Sequence, residues 1–456
     1  MEAEPDSRLE SRGERRTAGR ELRRAVARSS HAVWQAPRRG RDVLALLAAT
    51  DRGRVAELLP IRYGRMAQSP FAFLRGAAAV MAFDLAATAA TGIRVQACGD
   101  CHLLNFGAFA TPERNLIFDI NDFDETLPAP WEWDVKRLAA SIMVAGRSRQ
   151  FPDRISADAV ADAARAYREA LANFAREPVL AVWYAHIDAS ELIRLGVGAD
   201  RPGLPRGARA HAHTGARLLP RLTQIVGGAR RIKDNPPLVY HLRRRAEYEA
   251  HVRDALRRYR RSLPDERRAL LDRYRLVDIA RKVVGVGSVG TRCAVALFMA
   301  DEDDALFLQY KEARPSVLAP YAGRGAYRNQ GERVVVGQRL LQSASDFFLG
   351  WSRTQRPAFD FYVRQLRDMK TSVNLDALSE GAFARYARLC GLALARAHAK
   401  AGDAAKIGGY LGAAETFDRA VQRFARSYAD QTERDHAKLV EAVRAGRIRA
   451  EADAPH

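Results

Sequence analysis

Gly99-Asp100-Cys101-His102-Leu103-Leu104-Asn105 follows a short predicted strand, Ile93 to Ala97. An Asp and an Asn five apart in a loop after a strand can both face one phosphate. The Asp accepts a hydroxyl proton or orients an acceptor, and the Asn carbonyl ligates a magnesium ion. Asp122, in Asn121-Asp122-Phe123-Asp124-Glu125, lies seventeen residues beyond Asn105, and Asp134 twelve residues further. The first follows a predicted strand, Leu116 to Ile120, where a carboxylate can share the same metal. The second opens a predicted helix, 134–148. Asp, Asn and Gly also gather in turns for purely local reasons. Three carboxylates and an Asn, each at a strand end or helix start, favour the catalytic reading.

A second cluster lies far downstream. Gly285-Val286-Gly287-Ser288-Val289-Gly290 falls between two predicted strands, Lys282 to Val286 and Arg292 to Met299. Before a helix such glycines suggest a dinucleotide site; between two strands they suggest a flap over phosphates. A third strand, Ala305 to Tyr310, ends at Lys311, where an amine reaches the α- and β-phosphates of a nucleotide. Only eight of the 74 basic residues are Lys, which singles this one out. Glu332, on a helix expected over 328–343, is the candidate partner for Lys311, because Glu312 points to the other face of the strand.

The early set closely resembles the H-G-D-x-H-x-x-N, I-D-F and D-L-A series of aminoglycoside and choline kinase-like phosphotransferases. The resemblance makes Asp100 the catalytic Asp and places His102 where those enzymes also carry His. It makes Asn105 and Asp122 metal ligands and Asp134 a brace under the loop. Asp119 and Asp124 are rival ligands: the spacing to Asp134 favours Asp122, and that from Asn105 suits Asp119. Ala97-Cys98 departs from the family, which has a His before the Gly.

The resemblance implies an α+β, two-lobe, protein-kinase-like fold in circularly permuted order, with ATP and Mg2+ as cofactors. Gly285, Gly287, Ser288, Gly290, Lys311 and Glu332 would grip the nucleotide. Phe361 to Leu366 would lead to a hinge, with Gln365 to Asp368 near the adenine. The expected units are a mobile basic arm (1–45), a catalytic-loop and helical part (46–275), a β-rich nucleotide part (276–376) and C-terminal helices completing the helical part (377–456). Lys311 should then face Asp122 across one cleft.

Over about residues 55–440 the chain also resembles a bacterial family called domain of unknown function 2252. Its marks are Ser69-Pro70-Phe71-Ala72-Phe73-Leu74-Arg75-Gly76, the Gly99 to Gly107 run, Phe118 to Glu125 and Leu394-Ala395-Arg396-Ala397-His398-Ala399. That family name implies no activity.

The net charge of +20 fits either a solvated Arg-rich surface or an anionic partner. Nucleic acid is the weaker form of the second, since no aromatic and basic interleaving or reader motif accompanies the charge. Arg62, Arg65 and Arg75 are candidates for an acidic acceptor or the transferring phosphate, or belong to a basic face. His398 is expected to brace the catalytic loop, and Trp131 and Trp133 to pack the core. Cys98 and Cys101 read as small half-buried residues around a turn more readily than as a redox or zinc pair. The charged N-terminus has no signal-like apolar core, and no apolar run approaches the ~20 residues of a membrane span, so a cytoplasmic protein is expected. Besides phosphoryl transfer, AMP transfer and a nucleotide-binding pseudokinase fit the same residues.

Overall fold

The computed structural model describes residues 9–36, 40–190, 192, 215–242, 245–355, 357–366 and 371–451. The first described helix, α1 (Arg12–Glu21), starts with a capping box in which Ser11 and Glu14 exchange hydrogen bonds. It is packed against the folded chain. Gly19 and Gly409 let it close on the late helix Ala404–Leu411, each glycine facing a carbonyl that a Cβ would strike. Arg23 and Arg28 donate to the Tyr410 and Leu411 carbonyls, and buried His31 pairs with the Tyr410 hydroxyl at 2.7 Å. The arm looks loose in sequence because glycine contact and Arg-to-carbonyl bonds replace an apolar stripe.

Four helices follow: α2 (Val43–Asp51), α3 (Leu59–Ala67), α4 (Pro70–Gly76) and α5 (Ala78–Ala86). Helices α4 and α5 are parted at Ala77. The break persists because two buried arginines take carbonyls there: Arg62 bonds Gly76 O at 3.1 Å and Arg137 bonds Leu74 O at 2.7 Å.

Strand β1 (Arg94–Ala97) pairs antiparallel with β4 (Leu127–Pro130), and the hairpin β2 (Phe106–Ala110) and β3 (Leu116–Ile120) lies between them in sequence. Helices α6 (Trp131–Ser148) and α7 (Asp153–Phe174) come next. The last helices, Glu380–Ala401, Ala404–Leu411 and Thr416–Arg444, pack back onto them in one large apolar core. Trp131 stacks on Tyr167 inside it, and Trp133 is buried as expected of a packing residue.

After a hairpin of β5 (Thr223–Val226) and β6 (Ala229–Ile232), the β-rich part is a six-stranded sheet of β7 (Val239–Tyr240), β8 (Arg275–Lys282), β9 (Cys293–Met299), β10 (Ala305–Ala313), β11 (Gly350–Arg353) and β12 (Asp360–Gln365), all antiparallel. Their order across the sheet is β11-β12-β10-β9-β8-β7. Helix Gln330–Leu341 packs on β11, β12 and β1, joining sheet to helical part. Between β7 and β8 lie helices Arg245–Arg261 and Asp265–Leu271, parted at Pro264. The strand expected over Lys282–Val286 lies earlier, as β8. Its charged residues hide it: Asp278 is buried because it accepts from the Ile232 N–H and faces His241. Helix Gly215–Leu222 leads into the hairpin Thr223–Val226 with Ala229–Ile232.

Gly391, on Glu380–Ala401, lies against the Ala163 carbonyl of α7, where a Cβ would overlap it. Gly391→Ala should destabilise the protein by ~1–3 kcal/mol through overpacking. Gly381→Ala, at the exposed start of the same helix, should be neutral or slightly stabilising. Urea unfolding midpoints of the two variants check this.

Candidate functional site

The loop after β1 is fixed from beneath. Asp134, in the first turn of α6, accepts from the Cys98 N–H at 2.6 Å and the Gly99 N–H at 2.9 Å. His398 Nε2 lies 3.2 Å from the same carboxylate, and its Nδ1 lies 2.8 Å from the Tyr167 hydroxyl. His398 and Asp134 are both buried. Gly99 has φ +87°, and a Cβ there would strike the Glu125 carbonyl. Glycine is required on both counts, and the close approach brings the Asp100 loop against the acidic run.

Arg137, one helical turn beyond Asp134, donates from Nε (2.9 Å) and Nη2 (2.6 Å) to Asp100 Oδ1. Sequence reasoning missed Arg137; its i, i+3 spacing from Asp134 is the signal that pointed to it. Oδ2 of Asp100 turns toward His102, whose Nε2 is 3.8 Å away, beyond hydrogen-bond reach. Burial, with Arg75 and Arg137 nearby, pushes the His102 pKa down to about 4 against the pull of Asp100. His102 is therefore neutral at neutral pH and is not a base hydrogen-bonded to Asp100. Asn105 donates its amide to Asp100 O (2.8 Å) and Asp122 O (3.2 Å). This orients its side-chain carbonyl, which accepts no hydrogen bond among the described residues.

The three rival acids separate. Asp119 is fully buried, bound by Arg396 (2.8 and 2.9 Å) and by Ser343 N and Oγ (both 2.9 Å). It is a core ion pair, not a metal ligand; the spacing from Asn105 misled because hairpin β2–β3 places it on the inner side. Asp124 accepts from Ser288 Oγ (2.9 Å) and Tyr362 OH (2.7 Å) and pairs closely with Lys311. Asp122 is the most exposed of the three, and its Oδ2 is 3.5 Å from Lys311 Nζ. Lys311 itself is buried within β10 rather than at its end. Burial opposes its charge, yet Asp122, Asp124 and the Tyr362 phenol hold its pKa well above the ordinary lysine value.

Glu332 is not the partner of Lys311. One residue on, buried Arg333 takes the inward face, donating to the carbonyls of Asp124 (2.8 Å), Thr126 and Arg314 (2.8 Å). Adjacent helix positions point about 100° apart, so Glu332 is turned away. Glu125, quoted in the sequence but given no role there, has its pKa pushed up to about 7, chiefly by burial and further by Asp124 and Asp100.

Ser288 aside, the Gly-rich loop is held through its backbone: Arg54 reaches Gly287 O at 3.0 Å and Arg65 reaches Val284 O at 2.6 Å. Gly290 sits at φ +85° against the Arg54 side chain. Nothing lies within 4 Å of where a Gly285 Cβ would be, and Arg75 O alone approaches that of Gly287. Arg62 is not available to a ligand, being buried and bonded to Asp51 at 2.8 Å. Arg75 differs: among the described residues it makes no hydrogen bond or ion pair, and its Nε is buried without a partner. It lines a cavity of about 820 Å³ with Arg65, Asn121, Lys282, Gly285 and Gln365. Of the expected hinge, Gln365 and Leu366 line this cavity, while Arg367 and Asp368 lie outside the described residues. Cys98 and Cys101 are fully buried rather than half-buried, and neither is in a disulfide. Among the described residues no three His, Cys, Asp or Glu side chains gather as a metal site.

These features define an α+β chain in which the acids of the helical part and the buried lysine of an antiparallel sheet meet in ion pairs. Residues 54–442 match DUF2252, described as an uncharacterized protein conserved in bacteria, and the chain belongs to that family. No curated protein and no solved structure matches it. No helix among the described residues is long and apolar enough to cross a membrane.

Asp119→Ala should cost ~3–5 kcal/mol in urea unfolding, because it strands the buried Arg396 charge. Asp122→Ala, half exposed, should stay within about 1 kcal/mol of the parent. Glu125 gives a pH signature. Its folded pKa lies above the ordinary 4.5, so its contribution is present below that value and lost as pH rises through about 7. Glu125→Gln should raise stability relative to the parent progressively from pH 4.5 to 7, by on the order of 1–3 kcal/mol, then level off. A flat difference across that range in thermal melts would show that Glu125 titrates normally.

Proposed function

We propose that the protein is an ATP- and magnesium-dependent phosphotransferase of protein-kinase-like architecture, with its catalytic half preceding its nucleotide-gripping half in a circularly permuted chain. One observation carries this reading: Lys311, on the second strand after the Gly-rich loop, meets Asp122 at 3.5 Å and also pairs with Asp124, though both acids come from the early half. The strand, Gly-rich turn, strand, lysine strand, helix and two further strands support it in the same order.

The residues present fit the two cofactors. The cavity beside the Gly-rich loop, about 820 Å³, lies within the ~300–1,000 Å³ of small-molecule sites. Arg75 brings an unpartnered buried donor to it, and the backbone at Gly285 has room for close approach. Asp122 and the Asn105 carbonyl suit magnesium, which takes one or two protein oxygens and completes its shell with water and phosphate. When bound, magnesium neutralises phosphate charge and ATP supplies the phosphoryl group.

The chain's own groups then have distinct tasks. Lys311 and the Gly285 to Gly290 backbone hold the phosphates. Arg75 is set to stabilise charge on the transferred group or an acidic acceptor. Asp100 orients the acceptor hydroxyl through Oδ2, since Arg137 occupies Oδ1. Asp124 is a positioning residue, tying Ser288, Tyr362 and Lys311 together. AMP transfer would use the same grip. The pseudokinase reading draws support from one feature, that Lys311 already neutralises the acids a metal would need.

Asp122→Ala should abolish magnesium-dependent ATP binding in calorimetry. Asp100→Asn should leave ATP affinity nearly unchanged and cut turnover by ~10²–10⁴-fold, the usual worth of a general base. Melting temperatures run alongside separate this from instability caused by freeing Arg137. Full activity in Asp100→Asn would remove this loop from the chemistry. ATP binding with no turnover in the parent against any acceptor would favour the pseudokinase.

A further inference from the structure

The sheet has a second cavity on the face opposite Lys311. Arg281, Ala294 and Tyr310 form one cross-strand row, since Arg281 pairs with Ala294 and Ala294 with Tyr310. Their side chains therefore share a face, and alternation along β10 puts Lys311 on the other. The row is large, small, large. The gap over Ala294 opens a cavity of about 190 Å³ roofed by Val252 and Ala255 of helix Arg245–Arg261. Phe359 and Phe361 wall it, and Arg292 lies flat on the Phe359 ring at 3.7 Å.

Two polar groups in this largely apolar space are unanswered. The Tyr310 hydroxyl is buried with no hydrogen-bond partner, in a residue only 2% exposed. Among the described residues the Arg281 side chain, half-buried at the cavity, makes no hydrogen bond or ion pair. A buried hydroxyl without a partner is destabilising, so a ligand that answers it is favoured. Arg292, by contrast, is committed to Glu312 at 3.1 Å. Cavities of ~150 Å³ with apolar walls take a single aromatic ring, and a free guanidinium selects a carboxylate.

We infer that this rear cavity is a binding site for a small carboxylate with an apolar body of about one ring, seated on Ala294 with its carboxylate between Arg281 and the Tyr310 hydroxyl. The inference does not depend on the phosphotransferase reading, because no residue of the Asp100, Asp122 and Lys311 cleft takes part.

Titration of the full chain with benzoate, followed by calorimetry and thermal shift, tests it, with benzyl alcohol as the uncharged control. The parent should bind benzoate more tightly than benzyl alcohol. Arg281→Gln should weaken benzoate by about tenfold or more and leave benzyl alcohol unchanged. Tyr310→Phe should weaken benzoate several-fold, and Ala294→Leu should abolish binding by filling the gap. If Ala294→Leu fails to fold, the half-exposed Arg281→Gln still decides. No benzoate binding at millimolar concentration would mean the cavity holds water only and would overturn the site. Benzoate affinity unchanged in Arg281→Gln would overturn it too.

Discussion

The Asp134 carboxylate is the joint on which the cleft turns. Two successive N–H groups, of Cys98 and Gly99, donate to it. A carboxylate at a helix start also suits the partial positive charge there. With the loop held from below, Gly99 can take its left-handed conformation and lie against the Glu125 carbonyl. That contact sets the distance between Asp100 and Asp122, two residues contributed by separate loops. His398 and Tyr167 extend the brace into the core, so two helices from opposite ends of the sequence bear on one turn.

The second constraint is a buried lysine. A lysine as enclosed as Lys311 keeps its charge only beside carboxylates, and the carboxylates that act on it among the described residues are Asp122 and Asp124, not groups of the β-rich part. Glu312 faces the other side and is taken by Arg292. The early loop supplies Asp122 and Asp124 instead, so the sheet must dock on the helical part for Lys311 to stay charged. Arg333 closes the seam by reaching three carbonyls, of Asp124, Thr126 and Arg314. The joint is thus polar where the two parts meet at the site. The same habit accounts for much of the arginine content. Arg54, Arg62, Arg65, Arg137, Arg333 and Arg396 all reach backbone carbonyls across elements. A guanidinium with five donors does this better than an ammonium, and such arginines add to the net charge without forming a surface for nucleic acid.

What the sequence revealed follows from the range of each interaction. Strand–turn–strand patterns around Gly99 and Gly285, and the order of Asp100, Asn105, Asp122 and Asp134, depend on neighbours a few residues away and were legible. Asp119 was not separable from Asp122 by spacing, because its partner Arg396 lies 277 residues off. Glu332 reads as the partner of Lys311 because a Lys–Glu pair is the familiar solution; here the carboxylates come from elsewhere and the helix turns Arg333 inward. Strand β8 escaped notice because buried Asp278 and its His241 partner break the apolar alternation. Pattern reading cannot see a polar residue whose partner arrives from another element.

Strand β10 carries both cavities, one on each face. It is hydrogen-bonded to β9 over Ala305 to Lys311 and to β12 over Leu308 to Ala313, so Tyr310 and Lys311 sit where the strand is paired on both edges. Shifting one relative to the other would break ladder bonds on both sides, a cost that a small rear ligand cannot meet. A ligand biases a second site only through a difference in its affinity for two states. Any influence of the rear cavity on the cleft must therefore move the sheet as a body against the Arg333 and Asp124 seam, rather than pass along the strand through Tyr310 to Lys311.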